Sequence, residues 1–166
     1  MGKVVKRTKS AAEALQSLMR LCSRAERSSG DALRLMHRWG VSDADACKVL
    51  AQLQRERFID DRRFAELYAR EKLNLSGWGA YKIEVSLRQK GISQDIIAEV
   101  VRPMFGEADM ESRLTELLTR KMRTTKGATP YEIKTKLIRF GLSRGFDMEH
   151  VLRCASSVVK GVDEDF

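Results

Sequence analysis

Three short stretches constrain this chain more than anything else in it: GVSDADACKVL at 40–50, GISQDIIAEVV at 91–101 and GFDMEHVLRCA at 145–155. Each runs glycine, apolar residue, Ser or Asp, then apolar residues at helical spacing, and the three glycines lie about 50 residues apart. The glycine suits the left-handed conformation that ends one helix, and the Ser or Asp two places on caps the next by accepting a first-turn N–H. With Ser42, Ser93 and Asp147 as caps, the residue before each cap and the fourth helical residue form a hydrophobic staple. The pairs are Val41 with Ala46, Ile92 with Ile97, and Phe146 with Val151. Gly91→Val is accordingly expected to harm folding, by forcing a β-branched residue into a left-handed position.

A second helix precedes each joint, with start signals at Ser28, at Ser76 or Gly79, and at Thr129. Thr129-Pro130-Tyr131-Glu132 sets a cap, a proline at the first helical position and a capping-box glutamate in order. A further helix precedes that one, carrying Leu15, Leu18 and Met19, then Phe64, Leu67 and Tyr68, then Leu114, Leu117 and Leu118. The spacing is helical nearly throughout, with only two prolines and no period-two run of β-branched residues. The chain therefore reads as all-α, built from three tandem three-helix repeats at 11–57, 58–107 and 108–160. A basic tail, 1–10, and an acidic one, 161–166, flank them. One such unit buries little surface alone, so the repeats are expected to stack in an elongated, curved array with a long binding surface.

Charge indicates what such a surface meets. Lys and Arg outnumber Asp and Glu by 31 to 23, a net +8 in 166 residues, which points to an anionic partner. The excess is local: Arg120, Lys121, Arg123, Lys126, Lys134, Lys136, Arg139 and Arg144 face the single acid Glu132 between 120 and 144. Lys82, Arg88 and Lys90 add a smaller group in the second repeat. If these side chains neutralise DNA phosphates, binding weakens steeply with salt.

Enzymatic readings find little to stand on. Asp60 and Asp61 could hold Mg²⁺ in a nuclease, but Asp60 with Ile59 and Phe64 is better read as a helix cap with its staple. Gly77 and Gly79 follow no strand, and no GxxxxGK occurs, so they form no phosphate loop. His37 and His150 have no partner at ligand or catalytic spacing. Trp39 and Trp78 are read as packing between helices, with Trp78 the better surface contact. Cys22, Cys47 and Cys154 are odd in number and in no CxxC pattern, which fits buried thiols in a reducing cytosol and no zinc site. No stretch approaches the roughly 18 apolar residues of a membrane span, and the N-terminus, with Lys3, Lys6, Arg7 and Lys9, has no leader-like apolar run. A soluble, cytoplasmic protein without membrane contact is expected.

The stretch RFIDDRRFAELYAREK at 57–72, followed by SGWGAYKIEVSLRQKGIS at 76–93, resembles the centre of the RecX family, regulators of the RecA recombinase. The shared pattern is met at Phe58, Ile59, Asp60, Asp61, Phe64 and Ala65, at Gly77 and Gly79, at Ile83 and Leu87, and at Lys90-Gly91-Ile92. RAERS at 24–28 is similar to the family's first repeat, and the likeness covers roughly residues 11–158. Arg57 departs from it, standing where the family has glycine. The resemblance implies a monomeric, non-enzymatic protein that binds RecA and lies along the groove of its single-stranded DNA filament. There it restrains strand exchange, ATPase and the coprotease action on the SOS repressor. DNA itself is a further partner, and no cofactor is implied, since any ATP belongs to RecA. The competing reading is a helix-turn-helix DNA-binding repressor, because a glycine turn between two helices marks that fold too.

Overall fold

The joints explain why the chain breaks where it does. In a computed structural model that describes residues 8–163, and side chains to 161, Gly40, Gly91 and Gly145 have φ of 75°, 79° and 92°. The next N–H reaches back to the last turn each time: Val41 to the Met36 carbonyl at 3.0 Å, Ile92 to Leu87 at 3.1 Å, Phe146 to Gly141 at 3.3 Å. Ser42 Oγ, Ser93 Oγ and Asp147 Oδ1 then accept from the N–H of Asp45, Ile96 and His150. Both members of each staple are buried.

Among the described residues there are nine α-helices and no strand: α1 (Ala11–Arg24), α2 (Ser29–Arg38), α3 (Asp43–Arg55), α4 (Asp61–Asn74), α5 (Ala80–Gln89), α6 (Gln94–Val101), α7 (Glu107–Thr124), α8 (Pro130–Ser143) and α9 (Met148–Asp163). A short 3₁₀ turn, Arg102–Met104, follows α6. The tail residues Lys3, Lys6, Arg7, Glu164 and Asp165 lie outside the described region.

Starts follow the same logic. Thr129 Oγ1 accepts the Glu132 N–H and Pro130 opens α8. The expected capping box is shifted by one residue, however, because the Glu132 carboxylate takes the Ala128 N–H at 2.8 Å. Asp60 Oδ1 accepts the Arg63 N–H, and Ile59 and Phe64 are buried beside it. α5 begins after Gly79, not Ser76. Leu67, expected in the apolar stripe of α4, is 48% exposed, so that stripe is narrower than its spacing suggests.

The chain divides into two compact units. One comprises Met1–Leu67 with Leu87–Ile97, the other Tyr68–Ser86 with Ala98–Phe166. In the first, Leu18, Met36 and Leu53 are fully buried with Val49 and Ile59. In the second, Leu114, Leu118 and Leu137 are fully buried and packed with Phe146, Val151 and Ala155.

Each unit contains one tight helix-end contact of the same kind. In the first, Ser28 Oγ accepts the Asp31 N–H to start α2 and donates to the Lys90 carbonyl at 2.7 Å, next to the joint at Gly91. A Cβ on Gly30 would lie 2.4 Å from that carbonyl oxygen. In the second, the Gly79 N–H donates to the Arg144 carbonyl at 2.6 Å, and a Cβ on Gly79 would lie 2.5 Å from the Gly145 oxygen. In the second unit free N–H groups at a helix start thus satisfy free carbonyls at a helix end, and in the first the cap hydroxyl of Ser28 does so.

Candidate partner-binding surface

The eleven basic residues singled out by charge fall into two groups. Four are bound into the fold. Lys82 donates to the Ser143 carbonyl at 3.1 Å and stands 4.6 Å from the Trp78 ring centre, while a Cβ on Gly145 would lie 2.6 Å from its backbone N. Arg144 donates to the Ser76 carbonyl at 3.0 Å and lies over Phe140, which Lys121 also approaches at 5.0 Å. Lys90 pairs with Asp31 at 4.0 Å and stands over Phe64. All four are half-buried.

The rest point outward or are less committed. Arg88, Arg123, Lys126 and Arg139 are exposed, Lys134 is half-buried, and the side chains of these five have no hydrogen bond or ion pair with a described residue. Arg120 pairs with Glu116 one turn back on α7, and Lys136 donates to the Lys126 carbonyl. That last bond ties the middle of α8 to the turn after α7, bringing Lys136 to Lys126 at one corner of the second unit. Lys136 and Arg139, three apart, share a face of α8. Glu132, the one acid of the segment, is occupied at the start of its helix. The corner therefore presents unneutralised cations.

Trp78 lies between lysines, with Lys72 at 5.2 Å and Lys82 at 4.6 Å, so cation–π contacts occupy the ring that was the better candidate for stacking. Lys72 was not singled out from the sequence, and an isolated lysine in a balanced stretch carries no signal there. Trp39 packs against the first core with Lys9 over it at 4.0 Å.

Asp60 and Asp61 both have structural work. Asp60 caps α4, and Asp61 accepts the Ser29 N–H at 2.8 Å and its hydroxyl at 2.5 Å. No group of potential metal ligands occurs among the described residues. RAERS acts beside them: Ser28 closes on Lys90, and Glu26 accepts from Arg63 Nε at 2.7 Å.

Two expectations need correction. His150 does have a partner, its Nδ1 lying 2.6 Å from Asp147 Oδ2. Burial pulls the Asp147 carboxyl upward, but the backbone N–H and ring of His150 outweigh it and hold it below its ordinary range. The thiols are not uniformly buried either: Cys154 is, Cys22 is half-buried with its thiol pushed up by desolvation, and Cys47 is exposed. Cys47 sits on the outer face of α3, one residue past the staple position Ala46. Among the described residues no helix is long and apolar enough to cross a membrane.

Comparison with known proteins agrees with this architecture. A family model for the second three-helix domain of RecX matches residues 60–101, and one for the third matches 108–154. The regulatory protein RecX of Chlorobium phaeobacteroides (strain BS1) is 31% identical over 139 residues, 84% of this chain and 89% of that protein. That of Haemophilus influenzae (strain PittEE) is 31% identical over 134 residues, 80% and 86%. Against RecX of Clostridium botulinum (strain Eklund 17B / Type B) identity is 35% over 111 residues, and the chain spans only 50% of that relative's length. The crystal structure of RecX from Lactobacillus salivarius shares the fold at a TM-score of 0.74, covering 93% of this chain and 97% of that one at 15% identity. With two of its three-helix units matched by the family's own domains, and relatives aligned over most of its length, the chain belongs to the RecX family of regulatory proteins.

Proposed function

We propose that this protein is a non-enzymatic regulator of the RecA recombinase. It binds RecA and the groove of the single-stranded DNA filament that RecA forms, restraining strand exchange, ATPase and SOS coprotease activity. Its repeats are taken as 11–57, 58–107 and 108–160, and its place of action as the cytoplasm, as a monomer. The observation that carries the reading, beyond family membership, is the set of exposed cations on α7, on α8 and in the turn between them. Arg123, Lys126 and Arg139 there have no described acidic partner and nothing structural to do. Such a surface suits DNA phosphates or acidic protein faces.

Immobilised protein is offered RecA with and without single-stranded DNA, in ATP and low salt. Retention of RecA that increases with DNA and falls as salt rises is expected. Absence of association under these conditions rules the proposal out. Tight binding to one duplex operator, indifferent to RecA, supports the repressor reading instead.

A further inference from the structure

Trp39 and Trp78 are engaged by packing and by lysines, yet one aromatic ring of the second unit stands free. Tyr131, the second residue of α8, is 78% exposed and lies outside the core cluster. Its side chain has no hydrogen bond or ring contact with a described residue. A ring left in water adds little to the stability of the fold.

Its surroundings are cationic. The turn at 126–128 folds against the first turn of α8: the Ala128 N–H donates to Glu132, and a Cβ on Gly127 would lie 2.9 Å from Ile133 Cγ1. Exposed Lys126 is therefore at the same end of α8 as the ring. One turn past Tyr131, Thr135 Oγ1 donates to the Tyr131 carbonyl at 2.9 Å, and exposed Arg139 follows one turn later. The ring and that guanidinium thus stand on one side of α8, about 12 Å apart along its axis. Lys134, three residues past the ring, flanks it on the other side.

What the patch lacks selects its occupant. Between 120 and 144 Tyr131 is the one large hydrophobic side chain that is exposed, whereas a protein interface has an apolar centre with polar groups around it. One open ring among cations suits a single strand instead, with phosphates on the cations and a base face on the ring. In duplex DNA the base faces are covered by their neighbours, so the same ring finds nothing to stack on. We infer that Tyr131 stacks a base of single-stranded DNA and gives this surface a preference for single strands over duplex. The inference rests on the reading of this surface as the one that meets the RecA filament, and adds that it touches the DNA strand itself.

Full-length wild type, Tyr131→Ala and Tyr131→Phe, each checked for an unchanged unfolding midpoint, are titrated by fluorescence anisotropy into three labelled probes of equal length at low salt. The probes are oligothymidylate, a fully abasic strand that keeps the phosphates and lacks the bases, and duplex DNA. Tyr131→Ala is expected to bind oligothymidylate about tenfold more weakly than wild type, and Tyr131→Phe within about twofold of it. Both variants are expected to match wild type on the abasic and duplex probes. No binding of oligothymidylate by wild type, or equal binding by wild type and Tyr131→Ala, overturns the inference. So does an equal loss on the abasic strand, which would make the ring a support for the cations. Retention of RecA by the same proteins, immobilised, is measured in parallel. Loss of RecA by Tyr131→Ala with oligothymidylate binding intact assigns the ring to a protein contact and overturns the inference too. RecA retained by wild type, with oligothymidylate binding untouched by Tyr131→Ala, leaves the role in RecA control standing while this inference falls. The tenfold loss without any retention of RecA upholds the inference and removes that role.

Discussion

Glycine acts at single positions here, and the consequences are unequal. Gly91 was recognisable from its place between two helical patterns, and with φ at 79° and a Cβ there only 2.8 Å from Gly30 Cα, it tolerates no side chain. Gly30 gave no such signal, because Ser28-Ser29-Gly30 reads as an ordinary helix start and nothing local shows that the Lys90 carbonyl lies against it. Gly30→Ala is expected to cost about 1–3 kcal/mol from overpacking alone, and Gly91→Val a similar amount from backbone strain before any clash. Urea unfolding with an unchanged m-value measures both, and a Gly30→Ala midpoint equal to wild type contradicts the close approach.

Arg57 is the converse case. It holds a φ of 59°, with the Phe58 N–H bonded to the Leu53 carbonyl, so it ends α3 as the glycines end the middle helices. The left-handed strain of roughly 1–2 kcal/mol exceeds the roughly 0.4–1 kcal/mol that glycine adds to the freedom of the unfolded chain. Arg57→Gly is therefore expected to stabilise the protein by about 0.5–1 kcal/mol, seen as a raised unfolding midpoint; destabilisation would mean that the Arg57 side chain holds something its exposure does not suggest.

At the scale of the element, what was legible depended on how local the cause is. Caps, staples and the glycine joints act within a few residues, and Ser42, Ser93, Thr129 and Asp147 all fall where their patterns place them. Side chains acting across sequence were not legible: Asp61 on Ser29, Arg63 on Glu26 and Lys82 on Ser143 are 32, 37 and 61 residues from their partners. The site was read less well than the fold for the same reason. A basic residue that solvates, one that ties down a carbonyl and one that waits for a partner look alike in a sequence. Lys82, Lys136 and Arg144 belong to the second kind, while Lys90 lies against an acid and a ring and Lys121 against a ring.

The cap at α9 also has a pH signature. Because the folded protein holds the Asp147 carboxyl below its ordinary value, that contribution is complete above the unfolded-chain value, about 3.9 for aspartate, and is lost as pH falls through the depressed folded value. Thermal unfolding followed down the acid range should show this loss in wild type. Asp147→Asn, which still caps, should lack that component and differ least from wild type at the lowest pH. Identical pH dependence of the two proteins counts against the His150–Asp147 pair. Thr129→Ala removes a cap without a charge and is expected to cost about 1 kcal/mol at any pH.

For the molecule as a whole, the proposed role rests on separating cations that build the fold from cations that face solvent. Replacing Lys82 or Arg144 tests stability, since both hold carbonyls at helix ends. Replacing Arg123, Lys126 and Arg139 tests the partner surface, since none has a described bond to lose. A phosphate-binding surface also predicts that wild-type binding declines linearly in log salt and that the variant has the shallower slope.

The most direct measurement is RecA ATPase on single-stranded DNA, titrated with wild-type protein and with the triple variant Arg123→Glu, Lys126→Glu, Arg139→Glu, each checked for an unchanged unfolding midpoint. Wild type is predicted to inhibit, and the variant to need at least about tenfold more protein for the same inhibition, given the like-charge repulsion introduced. Inhibition by the variant equal to that of wild type would contradict the assignment of the surface, and no inhibition by wild type would contradict the function itself.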